Sequence, residues 1–274
     1  MSEATRFELD ERQRAMLAEM GVRVWQPAAP APQQGSAVAA PVEAPLRAPR
    51  VAAPVPPAMQ ALSVEAPVRP AAEPAARAPR PTGVESMDWT ELEQAVAACQ
   101  ACGLCASRKN TVFGVGDTQA RWMVVGEAPG EKEDLQGEPF VGPAGQLLDN
   151  MLKALGLSRQ AQGGQGVYIA NVLKCRPPAN RNPEPAEVAQ CEPFLRRQVA
   201  LVQPRIILAM GRFAVQSLLQ TSEPIGRLRG RVHSYQGVPV VVTYHPAYLL
   251  RNLPDKAKAW ADLCLALELV RQQG

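Results

Sequence analysis

Residues 122–130 read WMVVGEAPG, an apolar run with two adjacent valines that breaks into a turn rich in Gly and Pro. That is the pattern of a short buried strand with an abrupt end. It recurs three times downstream, so strands are expected at 122–125, 167–172, 206–209 and 239–243. Helices are expected at 145–155, 186–202, 213–219 and 255–271. Alternating strands and helices require right-handed crossovers, which make the sheet parallel and cover both its faces. The expected fold class is therefore α/β, a three-layer α/β/α sandwich around a four-stranded parallel sheet. Ligands of such sheets collect beyond the carboxyl ends of the strands. There lie GEAPGEKEDLQGEPFVG (126–142), the turn at Asn171, GRFAVQ (211–216) and YHPAYLLR (244–251).

Working outward, Asp88 with Glu91 three residues on has the form of a capping box for a helix through TELEQAVAAC. Upstream the composition changes. Of the chain's 27 prolines, 14 fall between Pro27 and Pro81, interleaved with alanine and few large apolar residues. Such a stretch cannot bury enough surface to offset its ordering entropy, so 27–85 is expected to be a disordered Ala/Pro-rich linker. It separates a catalytic domain at 86–274 from residues 1–26, where a short amphipathic helix is expected to end at Gly21. A net charge of +3 and a pI near 8.6 permit a nucleic-acid partner without requiring one. No apolar run is long enough to span a membrane, and the polar N-terminus is unlike a signal peptide. A cytoplasmic, monomeric protein is the expectation. Six cysteines in a reducing compartment favour metal ligation or buried thiols over disulfides.

Cys99, Cys102 and Cys105 form two overlapping CxxC pairs, while Cys175 and Cys191 lie sixteen residues apart. A CxxC pair with two distant cysteines makes a four-thiolate site, for zinc or an iron–sulfur cluster, and spacing does not separate the two. Cys264, alone in an apolar helix, reads as a small hydrophobe. The two glycines of GEAPG allow close backbone approach to a ligand, although a turn after a strand is the commoner use of such residues. Glu127, Glu131, Glu133 and Asp134 crowd beside it, and Phe140 is an aromatic set in a polar, Gly-rich loop. Asn171, at a strand end, either caps a turn or presents one donor and one acceptor to a base edge. His245 is held extended by the following Pro246, which aims its ring outward from the sheet end. Arg176, Arg181, Arg229 and Arg251 are solvated charges or phosphate contacts.

The motifs GEAPGEKEDLQGEPFVGPAGQLLDNML, VYIANVLKCRPPANRNPEP and TYHPAYLLR, in that order with a second cysteine in the helix after KCRPP, resemble the iron–sulfur (family 4) uracil-DNA glycosylases. The resemblance runs from Cys99 to the C-terminus. It implies a [4Fe–4S] cluster on Cys99, Cys102, Cys175 and Cys191, leaving Cys105 spare. It further implies an enzyme of base excision repair that flips uracil out of DNA and hydrolyses its N-glycosidic bond. In that reading Phe140 stacks on uracil, Asn171 reads its N3–H and O4, and His245 donates to O2. Backbone groups near Gly126 and Ala128 assist, and Glu127 favours the cationic sugar and orients water. Ala128 and Gly130 stand where family 1 enzymes carry a water-activating aspartate and a thymine-excluding tyrosine, and Glu133 is the candidate for blocking the thymine methyl. Leu249 or Leu250 is the expected wedge into the duplex, and Arg176, Arg229 and Arg251 the expected DNA contacts. Competing readings are a related glycosylase for another deaminated base such as hypoxanthine, and a non-catalytic iron–sulfur DNA-binding module. RAMLAEMGVRVWQP (14–27) also loosely resembles the N-terminal docking peptide of the clamp-loader psi subunit. A replication or repair protein is accordingly the expected partner of residues 1–26.

Overall fold

The computed structural model describes residues 80–273 of the chain. The expectations for residues 1–26 and for the linker up to residue 79 lie outside the described residues. At the linker's expected end, Val84 is already buried against Leu92, Val96, Phe113 and Phe194. Packing thus begins just before residue 86.

Six strands form one mixed sheet: β1 (Val115–Gly116), β2 (Trp122–Gly126), β3 (Val167–Asn171), β4 (Ile206–Met210), β5 (Val232–Tyr235) and β6 (Val238–Thr243). Their spatial order is β1-β3-β2-β4-β6-β5. The central four are parallel and coincide with the four expected strands, while β1 and β5 pair antiparallel at the edges. The expectation of a four-stranded, wholly parallel sheet is corrected accordingly. β1 has only two residues, too few to leave a pattern. β5 alternates exposed and half-buried residues and joins β6 through Gln236 and Gly237, both at positive φ. A two-residue turn of that kind is a hairpin signal, legible in YQGV but weak without an apolar strand before it.

Helices α1 (Trp89–Ala98), α2 (Glu131–Gln136), α3 (Gly142–Ala154), α4 (Pro185–Val202), α5 (Arg212–Leu219), α6 (Ile225–Leu228), α7 (Pro246–Leu249) and α8 (Asp255–Gln272) complete the chain. None of the described helices is long and apolar enough to cross a membrane. The Asp88–Glu91 capping box forms as expected. Register explains the two cores. Ile169, Val124, Leu208 and Val241 lie side by side across the sheet and face one way, packing with α3 and α8. Tyr168, Met123, Ile207 and Val240 form the next row and face the other way, against α4 and α5. Because each face is covered, the central strands read as continuous apolar runs.

Within the stretch read from sequence as a loop, 131–136 is helical. Its first turn carries Glu131, Glu133 and Asp134, which suit the positive end of a helix, and Gly137 at φ +77° stops it. Asp134 is buried and accepts from the backbone N–H groups of Lys109 and Asn110. α2 thereby docks on the segment after the CxxC pairs. The chain then reverses at Phe140, held at φ +53°, a strained value for an aromatic residue. The turn survives because α3 approaches without a side chain at Gly145, where a Cβ would stand 1.8 Å from the Phe140 carbonyl oxygen. Gly145→Ala is expected to cost about 1–3 kcal/mol through overpacking. Gly164→Ala, with open space around its Cβ, is the control for the same denaturant titration.

Candidate active site

Parallel pairing of β2 with β3 sets Gly126 directly beside Asn171. A Cβ at Gly126 would lie 2.4 Å from the Asn171 Oδ1 and 2.5 Å from the Phe140 Cζ, so both side chains pack onto bare backbone. Above them opens a cleft of about 930 Å³ at the carboxyl ends of the parallel strands. Glu127, Ala128, Glu133, Phe140, Asn171, His245 and Arg251 all line it, brought there from three separate loops.

Asn171 is 2% exposed, and no described residue hydrogen-bonds its carboxamide. Its donor and acceptor therefore remain available to a ligand. Glu133 reaches from α2 to accept from the backbone N–H of Val141 at 3.2 Å, which fixes the loop that carries Phe140. His245 caps the short helix α7, with Nδ1 accepting from the Ala247 N–H at 3.2 Å. The proton of the neutral ring thus belongs on Nε2. Burial, with the nearby Arg251 cation adding to it, lowers the imidazole pKa to about 4. The His245 and Phe140 rings stack, centroids 5.2 Å apart and planes 24° from parallel. That spacing admits no third ring between them, which would need about 7 Å, twice a normal contact distance. Burial pushes Glu127 up to about 7, while Arg212 pulls it down.

Two expected DNA contacts are corrected. Arg229 turns away from the cleft: its Nε–H donates to the buried Asp262 at 2.8 Å, it bonds the Lys258 carbonyl, and it lies over the Tyr244 ring. It is the half-buried partner of a buried carboxylate and braces α8. Leu249 is wholly buried in the core, whereas Leu250 is 42% exposed. A wedge at this position falls to Leu250. Arg176 is bonded to the cleft-lining Asn180 at 2.8 Å and lies 3.7 Å from Glu131. Arg212, Tyr244 and Tyr248 line the cleft without having been singled out in the sequence. Arg212 follows Gly211 at the end of β4, and its place beyond a parallel strand was the available signal.

Cys102, Cys175 and Cys191 are buried together against Leu104 and Leu173. Burial pushes all three thiols up, Cys191 to about 12, and neighbouring thiols push further: Cys99 at both Cys102 and Cys175, Cys175 at Cys191. Cys99 is half-buried, and Arg108 donates to the Cys175 Sγ at 3.1 Å. Among the described residues, no three His, Cys, Asp or Glu side chains are grouped to hold a single metal ion.

A family model described as the uracil DNA glycosylase superfamily matches residues 113–264, over half of the chain and all of the cleft. The chain belongs to that superfamily. Among curated relatives, the type-4 uracil-DNA glycosylase of Archaeoglobus fulgidus is 43% identical over 175 residues, 61% of this chain and 84% of the relative. That of Saccharolobus solfataricus is 44% identical over 168 residues, 58% and 76% of the two chains. That of Pyrobaculum aerophilum is 40% identical over 189 residues, 65% and 93%. Within the superfamily, then, this chain is a member of the type-4 group.

Two shifted groups of this superfamily site, His245 and Glu127, have opposite effects on stability. With its pKa lowered, His245 stays neutral in the fold while the unfolded chain takes up a proton, so its contribution is lost as pH falls from about 6.5 to 4. With its pKa raised, Glu127 keeps a proton in the fold up to about pH 7, so its contribution grows as pH falls from 7 to about 4.5. The two largely offset between pH 4.5 and 6.5. His245→Asn removes the first effect alone. Its Tm relative to the wild type is expected to rise as pH falls through that window, and a constant difference by scanning fluorimetry counts against a neutral, buried His245.

Proposed function

We propose that this protein is a DNA-repair glycosylase that flips uracil out of DNA and hydrolyses its N-glycosidic bond. The observation that carries this reading is the buried, unclaimed carboxamide of Asn171, set beside Phe140 and His245 in one cleft. Uracil offers an N3–H donor and an O4 acceptor, matching the Asn171 Oδ1 and Nδ2. Cytosine turns both contacts into mismatches, each costing about 1–3 kcal/mol when buried. With the His245 ring already against one face of Phe140, the base packs on the part of the Phe140 ring that lines the cleft. Its O2 then lies toward the Nε2–H.

As the C1′–N1 bond breaks, both electrons pass to the uracil ring and charge builds at O2. A neutral imidazole whose proton is fixed on Nε2 donates to that oxygen without having to give the proton up. The sugar becomes cationic. Water adds its oxygen to C1′, its proton passes to Glu127, and uracil leaves as the anion to be protonated by solvent. A carboxyl poised near pH 7 suits that exchange. Glu133 both positions Phe140 and faces the cleft, where it would meet a thymine methyl. Leu250 fills the gap left by the flipped nucleotide, and Arg251 and Arg176 face the backbone phosphates.

The four thiols fit a [4Fe–4S] cluster by their chemistry. They are all sulfur, mostly buried among apolar side chains, with the Arg108 guanidinium on one of them, and burial makes Cys102, Cys175 and Cys191 costly to ionise as plain thiols. Cys99, Cys102, Cys175 and Cys191 would hold it, and it would supply covalent ties between the segment after α1 and the start of α4. Residues 1–26 complete the reading as a docking peptide for a replication or repair protein, held near the enzyme by the linker.

Incubation with uracil-containing and otherwise identical thymine-containing oligonucleotides is expected to leave abasic sites in the first alone. Cleavage of neither overturns the proposal. Asn171→Asp is expected to lose uracil excision by at least about tenfold. It should also gain measurable release of cytosine, since a protonated carboxyl donates to N3 and accepts from the amine. Full uracil activity in that variant removes the base-reading role.

Protein purified anaerobically is expected to be brown, with iron and sulfide in near-equal amounts. Cys102→Ser is expected to destabilise it far more than Cys105→Ser. Equal losses would mean that the other overlapping pair binds the metal.

A further inference from the structure

Beside the cleft lies a second cavity of about 500 Å³, within the size range of small-ligand sites. Glu127 and Phe213 line both, so the two share a wall. The remaining lining comes chiefly from the start of α4, through Pro185 and Val188, and from one side of α5, through Gln216 and Ser217. No Lys or Arg lines it, and Glu127 and Glu192 do, which disfavours a phosphate. Apolar side chains such as Pro185, Val188 and Phe213 set among uncharged polar groups such as Gln216 and Gln220 suit a nucleobase instead.

Two of those polar groups lack partners. Ser217 is 8% exposed, and its hydroxyl is buried with no hydrogen-bond partner. No described residue hydrogen-bonds the Gln216 carboxamide one position earlier. A buried hydroxyl left unpaired is costly, and such groups are rare in folded proteins unless a ligand or water meets them.

We propose that this cavity seats the base of the nucleotide next to the excised uracil on the same strand. Its ring packs against Phe213 and the Pro185 and Val188 side, Gln216 meets its polar edge, and the Ser217 hydroxyl, buried as it stands, turns about χ1 to join it. The proposal rests on the excision reading, because only a flipped uridine in the first cleft brings a neighbouring base to the shared wall. Extruding one nucleotide unstacks its neighbours, and a seat for one of them recovers part of that cost. The enzyme therefore senses whether a base is present beside the uracil.

The test uses the full-length, iron-loaded protein and single-stranded uracil oligonucleotides in which either neighbour is replaced by a baseless spacer. For the wild type, the spacer on one side is expected to lower kcat/KM by about tenfold, the scale of one stacking or polar contact, with kcat changed less. Gln216→Ala is expected to flatten that dependence. Ser217→Ala should weaken it too while keeping an equal or higher Tm, because it removes an unpaired buried hydroxyl. A wild type indifferent to both spacers overturns the proposal. So does a Gln216→Ala variant with the full dependence. As a second readout, 2-aminopurine is placed beside the uracil and its fluorescence followed on binding. A change with the wild type that Gln216→Ala abolishes, without release of uracil from any oligonucleotide, sinks the excision reading and leaves a base-binding cavity without its link to excision. An unchanged signal in an oligonucleotide that is cleaved normally rejects the seat alone.

Discussion

The absence of a side chain at Gly126 is the constraint on which the site depends. Parallel register places this residue opposite Asn171, and Phe140 comes down onto it from a different loop. With any Cβ there, the carboxamide and the ring could not both occupy their places. The same device recurs at Gly145, where bare backbone lets α3 press on the Phe140 carbonyl and hold a left-handed aromatic residue. Glu133 adds the tether to Val141. Two glycines and one carboxylate thus fix two side chains, Asn171 and Phe140, supplied by distant parts of the chain. A site that must match a planar base benefits from this rigidity, since a slack recognition group discriminates poorly.

Burial does electrostatic work on the same residues. It keeps His245 neutral and Glu127 close to half-ionised near pH 7, so the cleft holds a donor that does not titrate and an acid–base group that does. The Nδ1 contact with the Ala247 N–H settles the tautomer as well. His245 is thus set by a helix cap, a piece of local backbone structure, with no carboxylate needed to orient it.

Beneath the cleft, Lys174 connects the thiol region to the strand that ends at Asn171. It is 1% exposed, and its Nζ donates at 2.7 Å to both the Asn171 carbonyl and the Gln198 Oε1. Gln198 in turn donates to the Phe113 carbonyl and the Tyr168 hydroxyl. Burial lowers the Lys174 pKa to about 7, and the adjacent Cys191 and Cys175 draw it back up. A cation this deep is expensive, and removing any one partner would leave another unsatisfied. The segment that carries Cys175 is therefore anchored to Asn171 through one side chain as well as through the backbone.

Why the sequence revealed some of this and hid the rest follows from range. The four central strands were legible because both faces are buried, which forces unbroken apolar runs, and Asn171, Phe140 and His245 because the first ends such a run and the other two follow one in loops of unusual composition. The edge strand Val232–Tyr235 and the helix Glu131–Gln136 were hidden because neither buries a continuous face. For arginines the limit is sharper. Arg229 and Arg251 look alike in sequence, both in basic, Gly- or Leu-flanked loops. What separates them is Asp262, thirty-three residues from Arg229, which is buried and draws that guanidinium into the protein. Among the described residues, no comparable carboxylate contact holds Arg251, which lines the cleft. A charge's role is decided by the most deeply buried opposite charge it can reach. That is a property of the folded chain, and local spacing carries no trace of it.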